Sequence, residues 1–134
     1  MKVLNYVGAS AILLLAGCGT KITDINNQKV YFAYDSSEIS KDAKSGLLAQ
    51  SEYLKEHKDV KVQIAGNCDE RGTQEYNLAL GARRANAAKQ VIVKDGISAS
   101  RVKTISYGKD RPSVNGSGES VWRQNRNATT TAVK

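Results

Sequence analysis

The stretch GNCDERGTQEYNLALGARRAN, residues 66–86, places a charged, glycine-bounded loop between a strand and a helix. Residues 60–64, VKVQI, alternate apolar and polar side chains, which predicts a half-buried strand before the loop. Thr73 is a suitable N-cap for the helix, and Gly96, after the basic Lys94, is suited to end it. The predicted apolar face of this helix consists of Leu78, Ala82, Ala85 and Ile92.

Strands and helices are predicted to alternate on both sides of this stretch. Residues 30–34 are aromatic and β-branched, which predicts a strand with Val30, Phe32 and Tyr34 on one face. Ser40 is the predicted N-cap of a helix that extends to about residue 57, with a buried face of Ala43, Leu47, Ser51 and Leu54. Further predictions are a strand at 102–107, a surface loop at 108–120, a short helix at 119–125 and a strand at 128–133. This alternation favours an α+β fold, in which a mixed sheet carries helices packed on one face.

The first 17 residues predict an export signal, with one lysine, an apolar run at 7–16 that is too short to span a bilayer, and small residues before Cys18. Residues 15–18, LAGC, resemble the bacterial lipobox. The resemblance implies cleavage before Cys18, diacylglycerol on its sulfur and an acyl chain such as palmitate on the new amino terminus. Residues 18–29 are then a lipidated tether, and Gly19 in place of an aspartate favours the outer membrane, with the domain facing the periplasm. The alternative is a secreted protein in which Cys18 merely follows the signal.

Length and charge limit what the rest of the chain can be. Removal of residues 1–17 from the 134 leaves 117, which is enough for one domain, predicted at 30–134. The signal contains one of the 20 basic residues and none of the 13 acidic ones, so the mature net charge is +6, which suits an anionic partner. Export excludes nucleic acid as that partner. Lipidation of Cys18 leaves Cys68 as the single thiol, so no internal disulfide is expected.

The loop and the helix after it carry charges that predict a site for a zwitterion. Asp69 suits an ammonium group, whereas the bare N–H groups at the helix N-terminus and the fork of donors on Arg84 suit a carboxylate. Helical side chains lean towards the N-terminus, so Arg84 is predicted to reach over Gly81 towards the loop. The amino-carboxylate end of meso-diaminopimelate, found in peptidoglycan stem peptides, is such a zwitterion. The alternative is a plain salt bridge between Asp69 and Arg84, with Arg83 solvated.

Four stretches carry a resemblance to a known family: 30–39 (VYFAYDSSEI), 66–85 (GNCDERGTQEYNLALGARRA), 96–114 (GISASRVKTISYGKDRPSV) and 122–128 (WRQNRNA). The chain resembles the OmpA-like C-terminal domain family and, within it, the peptidoglycan-associated lipoproteins of the Tol-Pal system. The resemblance implies a βαβαβ-type α+β sandwich that binds the diaminopimelate stem of peptidoglycan non-covalently. The implied binding residues are Asp69, Arg84, Tyr34, Asp35, Asn77 and Leu80. Arg126, where the family has an NRR motif, is a further candidate, either on the ligand side or as a structural residue.

The resemblance also implies partners and a cellular role. The periplasmic propeller protein TolB, and with it other Tol proteins, would bind a second surface in competition with the cell wall, so that the outer membrane follows the wall during cell division. The alternative is an OmpA-like wall-anchoring lipoprotein without Tol partners.

The sequence lacks the residue combinations that catalysis or metal binding would need. A hydrolase requires a nucleophile with a base, a zinc set or two carboxylates facing one bond. Neither a Ser/His/Asp set nor a zinc set can be built around the single histidine, His57, and the neighbours Asp69 and Glu70 do not face one bond. The chain is therefore predicted not to be an enzyme, and no metal or cofactor is expected. Glu70 and Arg71 are predicted to pair with each other or with a protein partner. Cys68 is predicted to be a small, semi-buried filler, and Trp122 either packs the short helix onto the domain or forms a binding face.

Overall fold

Four strands and three helices alternate along residues 21–134, the part of the chain that the computed structural model describes. In chain order they are β1 (Gln28–Tyr31), α1 (Lys41–Glu56), β2 (Lys61–Asn67), α2 (Gln74–Lys94), β3 (Val102–Gly108), α3 (Glu119–Asn125) and β4 (Asn127–Val133). The predicted export signal and Cys18 lie outside the described residues. Within residues 21–134, no helix is both long enough and apolar enough to cross a bilayer.

The strands form one mixed sheet in the order β1-β4-β2-β3. The pairs β1/β4 and β4/β2 are antiparallel, whereas β2 and β3 are parallel and are joined through α2, as a parallel pair requires a crossover. Val62 and Ile64 of β2 are fully buried under the helices, while Gln63 between them is only half-buried. This arrangement confirms the predicted α+β fold with helices on one face of the sheet.

Local signals in the sequence set the ends of both long helices as predicted. The Ser40 hydroxyl oxygen accepts a hydrogen bond from the Ala43 N–H at the start of α1, and the Thr73 hydroxyl oxygen accepts one from the Tyr76 N–H at the start of α2. Gly96 follows the end of α2 with φ 111°, a conformation that glycine adopts without strain. The predicted buried residues of α1, which are Ala43, Leu47, Ser51 and Leu54, are confirmed, and Gln50 is buried with them.

The first strand is displaced from its predicted position. It covers Gln28–Tyr31 rather than 30–34, and Tyr34 is 60% exposed instead of sharing a buried face with Val30 and Phe32. The chain leaves the sheet after Phe32, whose N–H donates to the Arg126 carbonyl, and it reverses at Asp35 with φ 55°. Because the backbone turns there, the alternation of the strand no longer determines which way Tyr34 points.

The predicted tether, 18–29, is wrong over residues 21–29, which contact the folded domain. Ile25 is only 2% exposed and Ile22 packs against the core, although both are isolated apolar residues in a polar segment. Lys21 pairs with Glu56 at the end of α1 at 3.2 Å, and Asn26 Oδ1 accepts a hydrogen bond from a β4 amide. The folded domain therefore begins before residue 30, because single apolar residues are sufficient to dock this segment onto the core.

The buried face of α2 is also rotated from the predicted one. Leu78 and Ala82 are exposed, and the face that meets the sheet consists of Asn77, Leu80, Gly81, Arg84, Ala85, Ala88 and Ile92. Gly81 on this face has no side chain, so α2 packs directly against the sheet. A Cβ atom added to Gly66 of β2 would lie 1.7 Å from the Gly81 carbonyl oxygen, so the two backbones are in contact here. This close approach places the polar residues of α2 against the end of β2.

We expect the substitution Gly66→Ala to destabilise the fold by about 2–3 kcal/mol, because the new methyl group would displace α2 from the sheet. Gly46→Ala is the matched control, since its Cβ would meet one side-chain atom, Val30 Cγ1 at 3.1 Å, and no backbone atom. Urea unfolding of both variants measures the difference. Equal free energies of unfolding for the two variants would show that the contact between Gly66 and Gly81 does not determine the packing of α2.

Candidate binding site

A small cleft lies where the loop after β1, the loop after β2 and the N-terminal half of α2 meet. Its volume is about 50 Å³. Six of the seven predicted binding residues line it: Tyr34, Asp35, Asp69, Asn77, Leu80 and Arg84. The other lining residues are Cys68, Arg71, Gly72 and Tyr76, which the sequence did not indicate as binding residues. The structure thus brings together two loops that are more than thirty residues apart in sequence.

Arg84 is buried at the base of the cleft and is only 1% exposed. Its guanidinium donates hydrogen bonds to the carbonyl oxygens of Ser36 (Nε, 2.8 Å), Asn67 (Nη1, 2.9 Å) and Ala33 (Nη2, 3.0 Å). Three of its five N–H donors are used in this way. Burial lowers the pKa of Arg84 from its ordinary value. Arg84 therefore joins the loop after β1 to the end of β2, and its hydrogen bonds go to backbone carbonyls rather than to Asp69.

Asp69, which is 4% exposed, is paired with two other arginines. Arg71 donates to Oδ1 from its backbone N–H (3.0 Å) and from Nε (3.1 Å), and to Oδ2 from Nη2 (2.7 Å). Nη1 of Arg126 lies 3.6 Å from Oδ2. Burial opposes ionisation of this carboxyl group, but the hydrogen bonds and charge of Arg71, with the charge of Arg126, hold the pKa of Asp69 below its ordinary value. The predicted alternative of a plain salt bridge between Asp69 and Arg84 is wrong.

Arg71 links the cleft to the C-terminal part of the domain. Its guanidinium lies between two aromatic rings, 4.0 Å from the centroid of Tyr34 and 3.9 Å from that of Trp122. The predicted pairing of Glu70 with Arg71 is wrong, because Glu70 Oε2 accepts hydrogen bonds from Trp122 Nε1 (2.7 Å) and from the Ser117 hydroxyl. Trp122 thus packs α3 onto the 69–71 loop, which is the first of its two predicted roles.

Arg126 lies behind the cleft and is not one of its lining residues. Its Nε donates to the Phe32 carbonyl at 2.9 Å, and its two terminal nitrogens donate to the Glu119 carboxylate at 3.1 and 2.8 Å. The contact with Asp69 is longer, at 3.6 Å, so Arg126 supports this carboxylate from outside the cleft. Arg126 therefore has a structural contact with Asp69 from outside the cleft, and a contact of Arg126 with a ligand stays a prediction.

The remaining cleft residues hold the loop in shape. The side-chain amide of Asn77 donates to the carbonyls of Arg71 (2.8 Å) and Thr73 (3.0 Å), and the Tyr76 hydroxyl donates to Asp35. Cys68 is fully buried rather than semi-buried, and its thiol donates to the Asn77 carbonyl. Burial raises the pKa of the Cys68 thiol, so this residue is a neutral filler. Asn77 and Cys68 fix the backbone between Asp69 and α2.

The described residues, 21–134, contain no group of three or more histidine, cysteine, aspartate or glutamate side chains that could hold a metal ion. His57 is exposed at the end of α1, where its ring stacks on Tyr53 with the centroids 3.9 Å apart. His57 therefore has a structural contact at the end of the domain opposite to the cleft.

We expect Arg84→Met to reduce the free energy of unfolding by about 2–4 kcal/mol, because it leaves the buried carbonyl oxygen of Asn67 and the part-buried ones of Ser36 and Ala33 without their donor. The adjacent, exposed Arg83 provides the matched control, and Arg83→Met is expected to change stability by no more than about 0.5 kcal/mol. Urea unfolding monitored by circular dichroism measures both. A loss below about 1 kcal/mol for Arg84→Met would mean that these hydrogen bonds do not hold the two loops together.

Comparison with known proteins relates this arrangement to a family. A sequence model of the OmpA family matches residues 31–126. The peptidoglycan-associated lipoprotein of Mesorhizobium japonicum is 41% identical over 145 residues, covering 90% of this chain and 86% of the relative. That of Agrobacterium fabrum is 45% identical over 102 residues, covering 76% of this chain and 58% of the relative.

A solved structure shows the same relationship. The crystal structure of the peptidoglycan-associated lipoprotein from Burkholderia pseudomallei superimposes with a TM-score of 0.76 at 38% identity, covering 79% of this chain and 90% of that one. These relatives are named for an association with peptidoglycan and not for a reaction, and on that ground the prediction that the chain is not an enzyme is confirmed. The family match and the identity over most of the chain show that this protein belongs to the OmpA family.

Proposed function

We propose that this protein binds the diaminopimelate stem of peptidoglycan non-covalently and links the outer membrane to the cell wall. The observation that carries the proposal is the cleft itself, where the carboxylate of Asp69 and the guanidinium of Arg84 line one small space. A carboxylate beside a guanidinium is complementary to a group that carries both an ammonium and a carboxylate. The names of the relatives support peptidoglycan as the source of that group.

In this proposal the two ends of the zwitterion have separate binding partners. Asp69 accepts the ammonium group, and the two N–H donors of Arg84 not used by backbone carbonyls are left for the ligand carboxylate. Leu80 provides an apolar wall for the ligand methylene groups, and Tyr34 and Asp35 form the outer edge. No bond is made or broken, so the protein is an anchor rather than a catalyst.

The second anchor in the proposal is lipid on Cys18, which holds the protein in the outer membrane, facing the periplasm. Because Lys21, Ile22 and Ile25 already contact the fold, the proposed tether shortens to residues 18–20. At about 3.3–3.6 Å per residue these three span roughly 10–11 Å. Lys21 pairs with the C-terminal end of α1, whereas the loop before α1 contributes to the cleft. The domain therefore stays close to the membrane with its cleft at the far end.

We further propose that TolB, and through it the Tol system, engages this protein in competition with the wall during cell division. The support is the similarity to the peptidoglycan-associated lipoproteins. Co-purification of TolB with the protein from its own cell envelope is the expected result, and excess diaminopimelate-containing muropeptide is expected to reduce the amount recovered. Recovery of the wall without TolB would favour a wall-anchoring lipoprotein that has no Tol partner.

Binding of the purified protein to sacculi tests the proposed function directly. We expect binding to diaminopimelate-type sacculi and to a diaminopimelate-containing muropeptide, and much weaker binding to lysine-type sacculi, since lysine lacks the second carboxylate. Asp69→Asn is expected to weaken binding by about 10- to 100-fold, because it removes a charge-assisted hydrogen bond. Asp59→Asn, at an exposed aspartate between α1 and β2, is the matched control.

Arg84 requires a different substitution in this experiment. Replacement by alanine would remove the hydrogen bonds that hold the two loops, so a loss of binding would report on folding as well as on contact with the ligand. Arg84→Lys keeps the charge and removes the fork of donors, and a folded variant with weakened binding is expected. Undiminished binding by both Asp69→Asn and Arg84→Lys would exclude this cleft as the site.

A further inference from the structure

The carboxylate proposed to bind the ligand ammonium is already occupied by a residue of the protein itself. Arg71 donates two side-chain hydrogen bonds and one backbone hydrogen bond to Asp69, and it reaches both carboxylate oxygens. Asp69 is buried, so a ligand cannot approach the same oxygens while Arg71 remains there. We propose that Arg71 is a built-in competitor of the ligand ammonium and sets the affinity of the site, an inference that rests on the function proposed above.

The size of the cleft supports competition rather than simultaneous binding. Its volume of about 50 Å³ has space for only a few water molecules, so little room is left beside Asp69 while the Arg71 side chain lines the cleft. Arg71 is one of the residues that line this space. Binding therefore requires the cleft to open, and withdrawal of the Arg71 side chain both enlarges it and exposes the carboxylate of Asp69.

Three arginines lie around the cleft, and their contacts indicate that Arg71 is the one that can leave. Arg84 is held by three backbone carbonyls, and Arg126 by the Phe32 carbonyl and both oxygens of Glu119. The side chain of Arg71 is 30% exposed, against 7% for Arg126, and apart from Asp69 its contacts are the faces of two aromatic rings. Stacking on a ring restricts direction less than hydrogen bonds to fixed carbonyls do, so Arg71 withdraws with the least disturbance.

A competitor of this kind makes binding selective. A neutral or purely anionic group gains nothing by displacing Arg71, because Asp69 would lose a cation without receiving another. A ligand ammonium replaces the charge that leaves. The measured dissociation constant is then the intrinsic one divided by the fraction of molecules in which Arg71 has withdrawn. Removal of Arg71 is expected to raise the affinity, which is the opposite of what removal of a ligand contact does.

The test compares Arg71→Met with the unmodified full-length protein, purified in detergent, using the diaminopimelate-containing muropeptide as the probe. Methionine keeps an apolar side chain between the two rings and removes the guanidinium. The dissociation constant is expected to fall by about tenfold for Arg71→Met, and by less for Arg71→Lys, whose ammonium competes without the fork of donors. Arg83→Met, the matched control, removes the same charge from an exposed position and is expected to leave the affinity unchanged.

Tryptophan fluorescence gives a second measurement that does not depend on affinity. Trp122 is the single tryptophan of the chain, and the Arg71 guanidinium stacks on its ring. Saturation with muropeptide is expected to change the Trp122 emission of the unmodified protein, because the cation leaves the ring. The same saturation is expected to produce little change in Arg71→Met.

The possible results separate this inference from the proposed function. Equal or weaker binding by Arg71→Met, with Asp69→Asn still impaired, would overturn the competitor role and leave the site assignment in place. Failure of the unmodified protein and of every variant to bind would overturn both. If Arg71→Met does not fold, Arg71→Lys decides, since tighter binding supports competition and unchanged or weaker binding contradicts it.

Discussion

The guanidinium of Arg84 donates hydrogen bonds to carbonyl oxygens from the loop after β1 and from the end of β2, and the candidate site depends on this connection. The hydrogen bonds of the sheet do not hold these two segments together here, because β1 ends at Tyr31. The contact of Gly66 with Gly81 allows Arg84 to reach both segments, since any larger side chain at these positions would keep α2 away from the sheet. Two glycines and one arginine thus determine where the cleft forms and which loops line it.

The three arginines near Asp69 have different tasks, although their side chains are chemically identical. Arg84 supports backbone carbonyls, Arg126 is fixed by Glu119 behind the carboxylate, and Arg71 covers the carboxylate from the solvent side. Their differences arise from burial and from the kind of partner, since carbonyls fix a guanidinium more rigidly than aromatic rings do. Asp69 remains ionised among them, which a buried carboxylate requires when it is to receive a cation.

The segment 108–126 contributes more to the site than its sequence indicates. It has few apolar residues, and its sequence predicts a surface loop followed by a short helix. Trp122 and Glu119 nevertheless hold Arg71 and Arg126 in their positions. Glu70, adjacent to the candidate ligand residue, is turned away from the cleft by its hydrogen bonds to this segment. The site therefore depends on contacts between residues about fifty positions apart.

The sequence by itself determined the order and type of the elements, both helix caps and the glycine that ends α2, because these depend on neighbouring residues. Together with a family resemblance it also indicated six of the cleft residues, since they lie in or beside a long characteristic motif. Only the tertiary structure decided that Asp69 pairs with Arg71 rather than Arg84, that Leu78 is exposed, and that residues 21–29 belong to the fold. The reason is physical. Periodicity and caps are local, whereas the partner of a charged side chain and the face that a helix buries depend on which backbones can approach each other across the whole domain.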